Sequence, residues 1–203
     1  MQGNIIVLSG PSGSGKSTVR AKLLTIFPDI EFSISYTTRQ PRKEKGDKSD
    51  YHFITRNQFE EMIQKDEFVE WAEVHGDLYG TPVEQIISTI DKGRHILLEI
   101  DVQGGFSIKK KFPEAILVFI IPPTLEELEK RLKERAMNST TEIKKRLQVA
   151  KKEIVEAKNY DFIVINESLK YCIEQIKSII ISYRCKSQFQ IPFINRLLSN
   201  SKA

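Results

Sequence analysis

The segment of this chain best suited to chemistry lies near its N-terminus, at residues 10–18, GPSGSGKST. Gly10, Gly15, Lys16 and Ser17 fit the spacing G-x-x-x-x-G-K-[ST], in which main-chain N–H groups and the start of a helix surround a polyphosphate. Glycines allow close approach and left-handed dihedrals. The Lys16 ammonium can reach the β- and γ-phosphates, and the Ser17 hydroxyl is placed for Mg²⁺. Pro11, Ser12, Gly13, Ser14 and Thr18 complete the expected nucleoside triphosphate cradle. From composition alone the pattern arises in roughly one chain of this length per hundred. Its setting, directly after an apolar run and before a helical stretch, makes coincidence rarer still.

The elements that must position this loop are legible around it. Residues 4–8 (NIIVL) read as a buried parallel strand, and residues 19–27 as a helix. Residues 95–101 (HILLEID), 115–121 (AILVFII) and 161–166 (DFIVIN) are continuous apolar runs, suited to strands covered on both faces. The first ends in Glu99 and Asp101, carboxylates that the strand would carry to the phosphate end of the sheet, within reach of a metal directly or through water. Capping boxes are expected at Thr124/Glu127 and Ser139/Glu142, each opening a helix. Leu169 to Tyr183 forms an amphipathic helix with Ile173, Ile176 and Ile180 on one face. Between residues 32 and 91 the texture changes to short alternating segments, with helices near 56–65 and 82–92.

Residues 32–42 (FSISYTTRQPR), Asp50-Tyr51, residues 67–81 (EFVEWAEVHGDLYGT) and residues 100–104 (IDVQG), together with the loop, resemble the guanylate kinases from about Ile5 to about Ile181. The resemblance implies an α/β fold: a P-loop NTPase three-layer fold with a central parallel sheet, an inserted small β-rich GMP-binding subdomain and a helical lid. The core is expected at residues 1–32 and 93–182, the insertion at 33–92, the lid at about 131–146, and a basic amphipathic tail at 183–203. It implies transfer of the γ-phosphoryl group of MgATP to GMP, and to dGMP, since no identifiable residue demands a 2′-hydroxyl. Ser35, Arg39, Arg42, Tyr51, Glu70, Tyr79, Thr81 and Asp101 fall where the family holds GMP.

The chemistry of those residue types agrees. Two arginines and two tyrosine hydroxyls suit a dianionic phosphate. Guanine's N1–H and N2–H₂ donors match a carboxylate such as Glu70, and its O6 matches hydroxyls such as those of Ser35 and Thr81. Adenine would set a lone pair against the carboxylate. Taken singly, these residues read more readily as surface charges and half-buried sheet aromatics; the family spacing joins them. Lid arginines are implied at Arg131, Arg135 and Arg146, placed to meet charge on the transferred phosphoryl group together with Lys16, Arg39 and Arg42.

The chain departs from its relatives in three places. Residues 43–48 (KEKGDK) replace the usual turn after the second arginine, Glu99 stands where most relatives have aspartate, and Ala136 stands where glycine is common. A guanylate-kinase-like interaction module is the competing class, but such modules tend to lose the loop and lid residues retained here.

Composition narrows the remaining classes. The formal net charge is +4, from 31 Lys+Arg and 27 Asp+Glu. Arg184, Lys186, Arg196 and Lys202 lie in the last 21 residues, which contain no acid; the body is therefore balanced, which argues against a nucleic-acid-binding domain. Cys172 and Cys185 have no framework spacing and fit a reducing compartment. Residues 5–8 are too short for a membrane span or signal peptide, so a cytoplasmic setting is expected. Phe193, Ile194, Leu197 and Leu198 suggest a tail helix for self-association. His52, His75 and His95 need no metal or catalytic role.

Overall fold

The computed structural model describes residues 3–41, 51–74, 76–135 and 140–199. Five parallel strands form the core: β1 (Ile5–Ser9), β2 (Ile30–Phe32), β7 (His95–Glu99), β8 (Ile116–Ile121) and β9 (Phe162–Ile165), in the order β2-β7-β1-β8-β9. Every residue of β1 is buried, because side chains alternate between two covered faces. Ile6 and Leu8 join a cluster with Val19 and Leu23 of α1 (Lys16–Ile26) and with Ile176 and Ile180 of α7 (Leu169–Arg184). Ile5 and Val7 face the opposite cluster, with Ile86 of α3 (Val83–Asp91) and Ile108 of α4 (Val102–Lys111). That is a three-layer α/β fold.

A second sheet, β4-β3-β6-β5, is built from β3 (Ser35–Thr37), β4 (Tyr51–Phe53), β5 (Phe68–Val74) and β6 (Asp77–Pro82), with α2 (Arg56–Gln64) packed on it. Its core is small. Phe59 and Phe68 stack with centroids 4.4 Å apart over Leu78. Gly80 permits this approach, since a Cβ there would stand 2.8 Å from Phe68. Gln85 staples the crossing between the sheets: its Nε2 donates to Phe32 O at 3.1 Å and its Oε1 accepts from Ile34 N at 3.0 Å.

Beyond β8 lie α5 (Leu125–Arg135), α6 (Thr140–Glu156) and α8 (Ser187–Ser199). α7 runs through Arg184, and Tyr183 is buried with its hydroxyl donating to the Glu114 carbonyl.

Three sequence expectations need correction or qualification. β9 is not covered on both faces: it is the sheet's edge, and Phe162, Ile163 and Ile165 are exposed. At Thr124 one half of the capping box forms, with Glu127 N donating to Thr124 Oγ1 at 3.1 Å, but the Glu127 carboxylate turns to Arg131 instead. Ser139 lies outside the described residues, while a complete capping box occurs at Thr55 and Gln58, which the sequence reading passed over.

Candidate active site

The phosphate loop leaves the carboxyl end of β1, the middle strand, where parallel sheets bind ligands. Gly15 caps α1 in the left-handed region, φ 98°, and a Cβ there would stand 2.3 Å from Asn166 Nδ2. Asn166 is buried, and its Nδ2 donates to Ser14 O at 2.8 Å, which anchors the loop to the end of β9. Lys16 Nζ donates to the carbonyls of Gly10 at 2.6 Å and Pro11 at 3.1 Å, so the ammonium is held over the loop.

Ser17 Oγ donates to Glu99 Oε1 at 2.8 Å, and Glu99 Oε2 lies 3.4 Å from Arg20 Nη1. With its proton directed at Glu99, the Ser17 oxygen keeps lone pairs for a hard cation, so the donor set fits Mg²⁺. Asp101 caps α4, its Oδ1 accepting from Gly104 N at 2.8 Å, while also bordering the cleft beside Glu99. Among the described residues no three His, Cys, Asp or Glu side chains form a metal cluster. Mg²⁺ usually takes one or two carboxylates and completes its shell with phosphate and water, so this arrangement suffices.

One cleft of about 480 Å³ gathers Ser35, Tyr51, Glu70 and Tyr79 of the insertion against Ser12, Glu99 and Asp101 of the core. The register explains Glu70. A bulge between Phe68 and Glu70 turns its side chain inward, opposite Thr81, while Trp71 stays 49% exposed. Thr81 Oγ1 donates to Glu70 Oε1 at 2.6 Å. Burial pushes the Glu70 carboxyl from 4.5 to about 7; the Thr81 hydrogen bond opposes that rise and the Asp101 charge adds to it.

Tyr51 and Tyr79 meet edge to face with centroids 5.9 Å apart. Arg39 lies across the Tyr51 ring, its Cζ 5.5 Å from the centroid, with Nη1 donating to Gln40 O at 2.8 Å. Arg42 lies outside the described residues, as do the turn at 43–48 and Ala136.

Arg131 shares a second cleft with Gly13, Gly15, Thr18 and Asn166. Its Nε donates to Glu127 at 2.8 Å and its Nη2 to Asn166 O at 3.1 Å. Arg135 ends α5, and Arg146 pairs with Glu142 on its own helix at 3.7 Å.

The sequence reading missed Asn166 and Arg20. It also missed Glu153, half-buried on α6, whose carboxyl is raised by burial, lowered by the Lys16 charge and raised by that of Asp101. Glu153 is therefore electrostatically coupled to the phosphate site.

A family model described as guanylate kinase matches residues 2–183. The chain belongs to the guanylate kinase family. It is 43% identical over 197 residues to a guanylate kinase of Halalkalibacterium halodurans, covering 97% of each chain. It is 44% identical over 189 residues to one of Nitrosospira multiformis, covering 93% of this chain and 90% of the relative. The crystal structure of guanylate kinase from Anaplasma phagocytophilum matches with a TM-score of 0.74 at 34% identity, covering 91% of this chain and 88% of that one. Guanylate kinases are nucleoside monophosphate kinases that transfer the ATP γ-phosphoryl group to GMP.

The raised Glu70 carboxyl has a consequence for stability. Its folded value, about 7, lies above the unfolded 4.5, so the native state binds this proton more tightly. That contribution is complete below the unfolded value and is lost as pH rises through the folded one. Glu70→Gln in the ligand-free protein should therefore raise stability at pH about 8, by the order of 2 kcal/mol, and change it little at pH about 4. Urea denaturation at both pH values checks this; equal shifts at both would contradict it.

Proposed function

We propose that this chain carries out the family's reaction by direct in-line transfer from MgATP to a phosphate oxygen of GMP, with dGMP also accepted. The reading is carried by the single cleft in which Glu70, Ser35 and both tyrosines face the phosphate-loop core. The acceptor oxygen forms a bond to Pγ as the bridging Pγ–O bond breaks, and ADP leaves with the electron pair. The acceptor phosphate is largely dianionic at neutral pH, its second pKa being about 6, so no base need remove a proton.

In this reading the ionised Glu70 accepts from guanine N1–H and N2–H₂, with Ser35 and Thr81 around the base. Tyr51, Tyr79, Arg39 and Arg42 hold the acceptor phosphate. Residues 10–18 surround the donor polyphosphate, and Lys16 with Arg131, Arg135 and Arg146 meets the charge on the moving group. Ser17 would hold Mg²⁺, with Glu99 and Asp101 acting on it through water. Mg²⁺ bound there would supply neutralisation of charge on the donor phosphates. Catalysis is then positioning and exclusion of water, as the insertion (33–92) and the lid (131–146) close on the core (1–32 and 93–182).

No described helix is long and apolar enough to cross a membrane. A cytoplasmic setting fits the free thiols of Cys172 and Cys185. In the tail, Phe193, Leu197 and Leu198 are at least half exposed, which supports self-association through α8. Cell fractionation and sedimentation of the native protein test these two points; a membrane-bound or strictly monomeric protein contradicts them.

Lys16→Met should abolish turnover while leaving the unfolding transition unchanged. With wild type, a coupled assay over GMP, dGMP, AMP, CMP and UMP should favour GMP over AMP by roughly 10⁴-fold, since adenine leaves a buried carboxylate unpaired. Comparable rates with AMP, or a turnover-competent Lys16→Met, would refute the assignment.

A further inference from the structure

Arg20 stands three residues after Ser17, on the same face of α1. Its guanidinium is engaged on two sides. Nη1 lies 3.4 Å from Glu99 Oε2, and the two side chains are only 15% and 14% exposed. Glu99 Oε2 has no hydrogen-bond partner among the described residues, while Glu99 Oε1 accepts from Ser17 Oγ at 2.8 Å. On the other side the guanidinium covers the Phe32 ring, its Cζ 4.3 Å from the centroid. Phe32 ends β2, where the chain leaves the core for the insertion, and Gln85 fastens its carbonyl.

A carboxylate so far out of water needs a counter-charge to hold its place, and without one it swings toward solvent. That movement releases the Ser17 proton, which can then point at the place a cation would occupy. Lysine could supply charge but not a planar face that pairs and stacks at once.

We propose that Arg20 is a positioning residue for phosphoryl transfer. It holds the Glu99 carboxylate on the Ser17 hydroxyl so that the oxygen's lone pairs face Mg²⁺. It also ties that arrangement, through Phe32, to the strand end from which the acceptor-binding insertion departs. The inference rests on the assignment of Ser17 as the residue holding the metal. It explains why glutamate serves here: its length brings Oε1 to Ser17 while Oε2 reaches Arg20.

The test uses full-length Arg20→Met, which keeps the stem and removes the charge, with Arg20→Lys beside it. Loss of a residue that orients a metal ligand costs about 10–100-fold. In Arg20→Met, kcat should fall, and the Mg²⁺ concentration giving half-maximal rate should rise, by about tenfold or more. Independently of turnover, calorimetry of ADP binding with Mg²⁺ and with EDTA should show Mg²⁺-dependent tightening reduced about tenfold. Arg20→Lys should recover part of both, and combining Arg20→Met with Glu99→Gln should add little to either single loss.

A folded Arg20→Met within about twofold of wild type in Mg²⁺ half-saturation and ADP tightening overturns the proposal, as does full additivity with Glu99→Gln. Should Arg20→Met not fold, Arg20→Gln is read by the same criteria. Wild type whose ADP binding tightens with Mg²⁺ but which does not phosphorylate GMP would sink the substrate assignment and leave this inference standing.

Discussion

Keeping the Glu70 carboxylate at the cleft, half out of water, sets terms for everything around it. Burial drives the group toward its neutral form, and the nearby Asp101 charge pushes the same way. The Thr81 hydroxyl, donating at 2.6 Å, works against that tendency. The bulge between Phe68 and Glu70 aims the side chain inward, and the missing side chain at position 104 gives it room, since a Cβ there would lie 3.1 Å from Glu70 Cδ. Glu70 therefore packs on the first turn of α4, where the positive end of the helix favours an anion by several tenths of a kcal/mol. In the proposed reading, guanine's two donors complete the hydrogen bonding of this carboxylate.

The phosphate half obeys a different logic. The loop is fixed from behind by Asn166 and from above by the Lys16 ammonium bridging two of its own carbonyls. Two of the arginines proposed for the lid, Arg131 and Arg146, sit in weaker pairs. Arg131 with Glu127 and Arg146 with Glu142 are (i, i+4) pairs on partly exposed helices. Such pairs contribute about 0.3–0.5 kcal/mol each, little against the attraction of a guanidinium to a polyphosphate. In the proposed reading they exchange partners when nucleotide binds, while Gln85 keeps the crossing between the two sheets in register.

Much of this was legible in the sequence because it is local. The loop is one contiguous segment, and β1, β7 and β8 announce themselves by unbroken apolar runs. The candidate acceptor residues were legible as a set only through family spacing, because each one alone reads as surface. What stayed hidden depends on contacts between distant segments. Asn166 meets Ser14 across 152 residues and leaves no pattern at either end. Arg20 looks like any charge on an amphipathic helix until Glu99 and Phe32 are seen on both its sides. β2 has three residues, too few to show a period. β9 read as a buried strand because composition alone does not tell an edge from a centre.

The central claim is that the cleft recognises guanine through an ionised Glu70. Carboxyl NMR of protein carrying ¹³C-labelled glutamate, with Glu70→Gln to assign the signal, observes that proton directly. The account predicts a titration midpoint near 7 in the free protein. With saturating GMP it should fall below about 5, because hydrogen bonds to the charged form favour it. A midpoint that stays put, or climbs, when GMP binds would contradict the account.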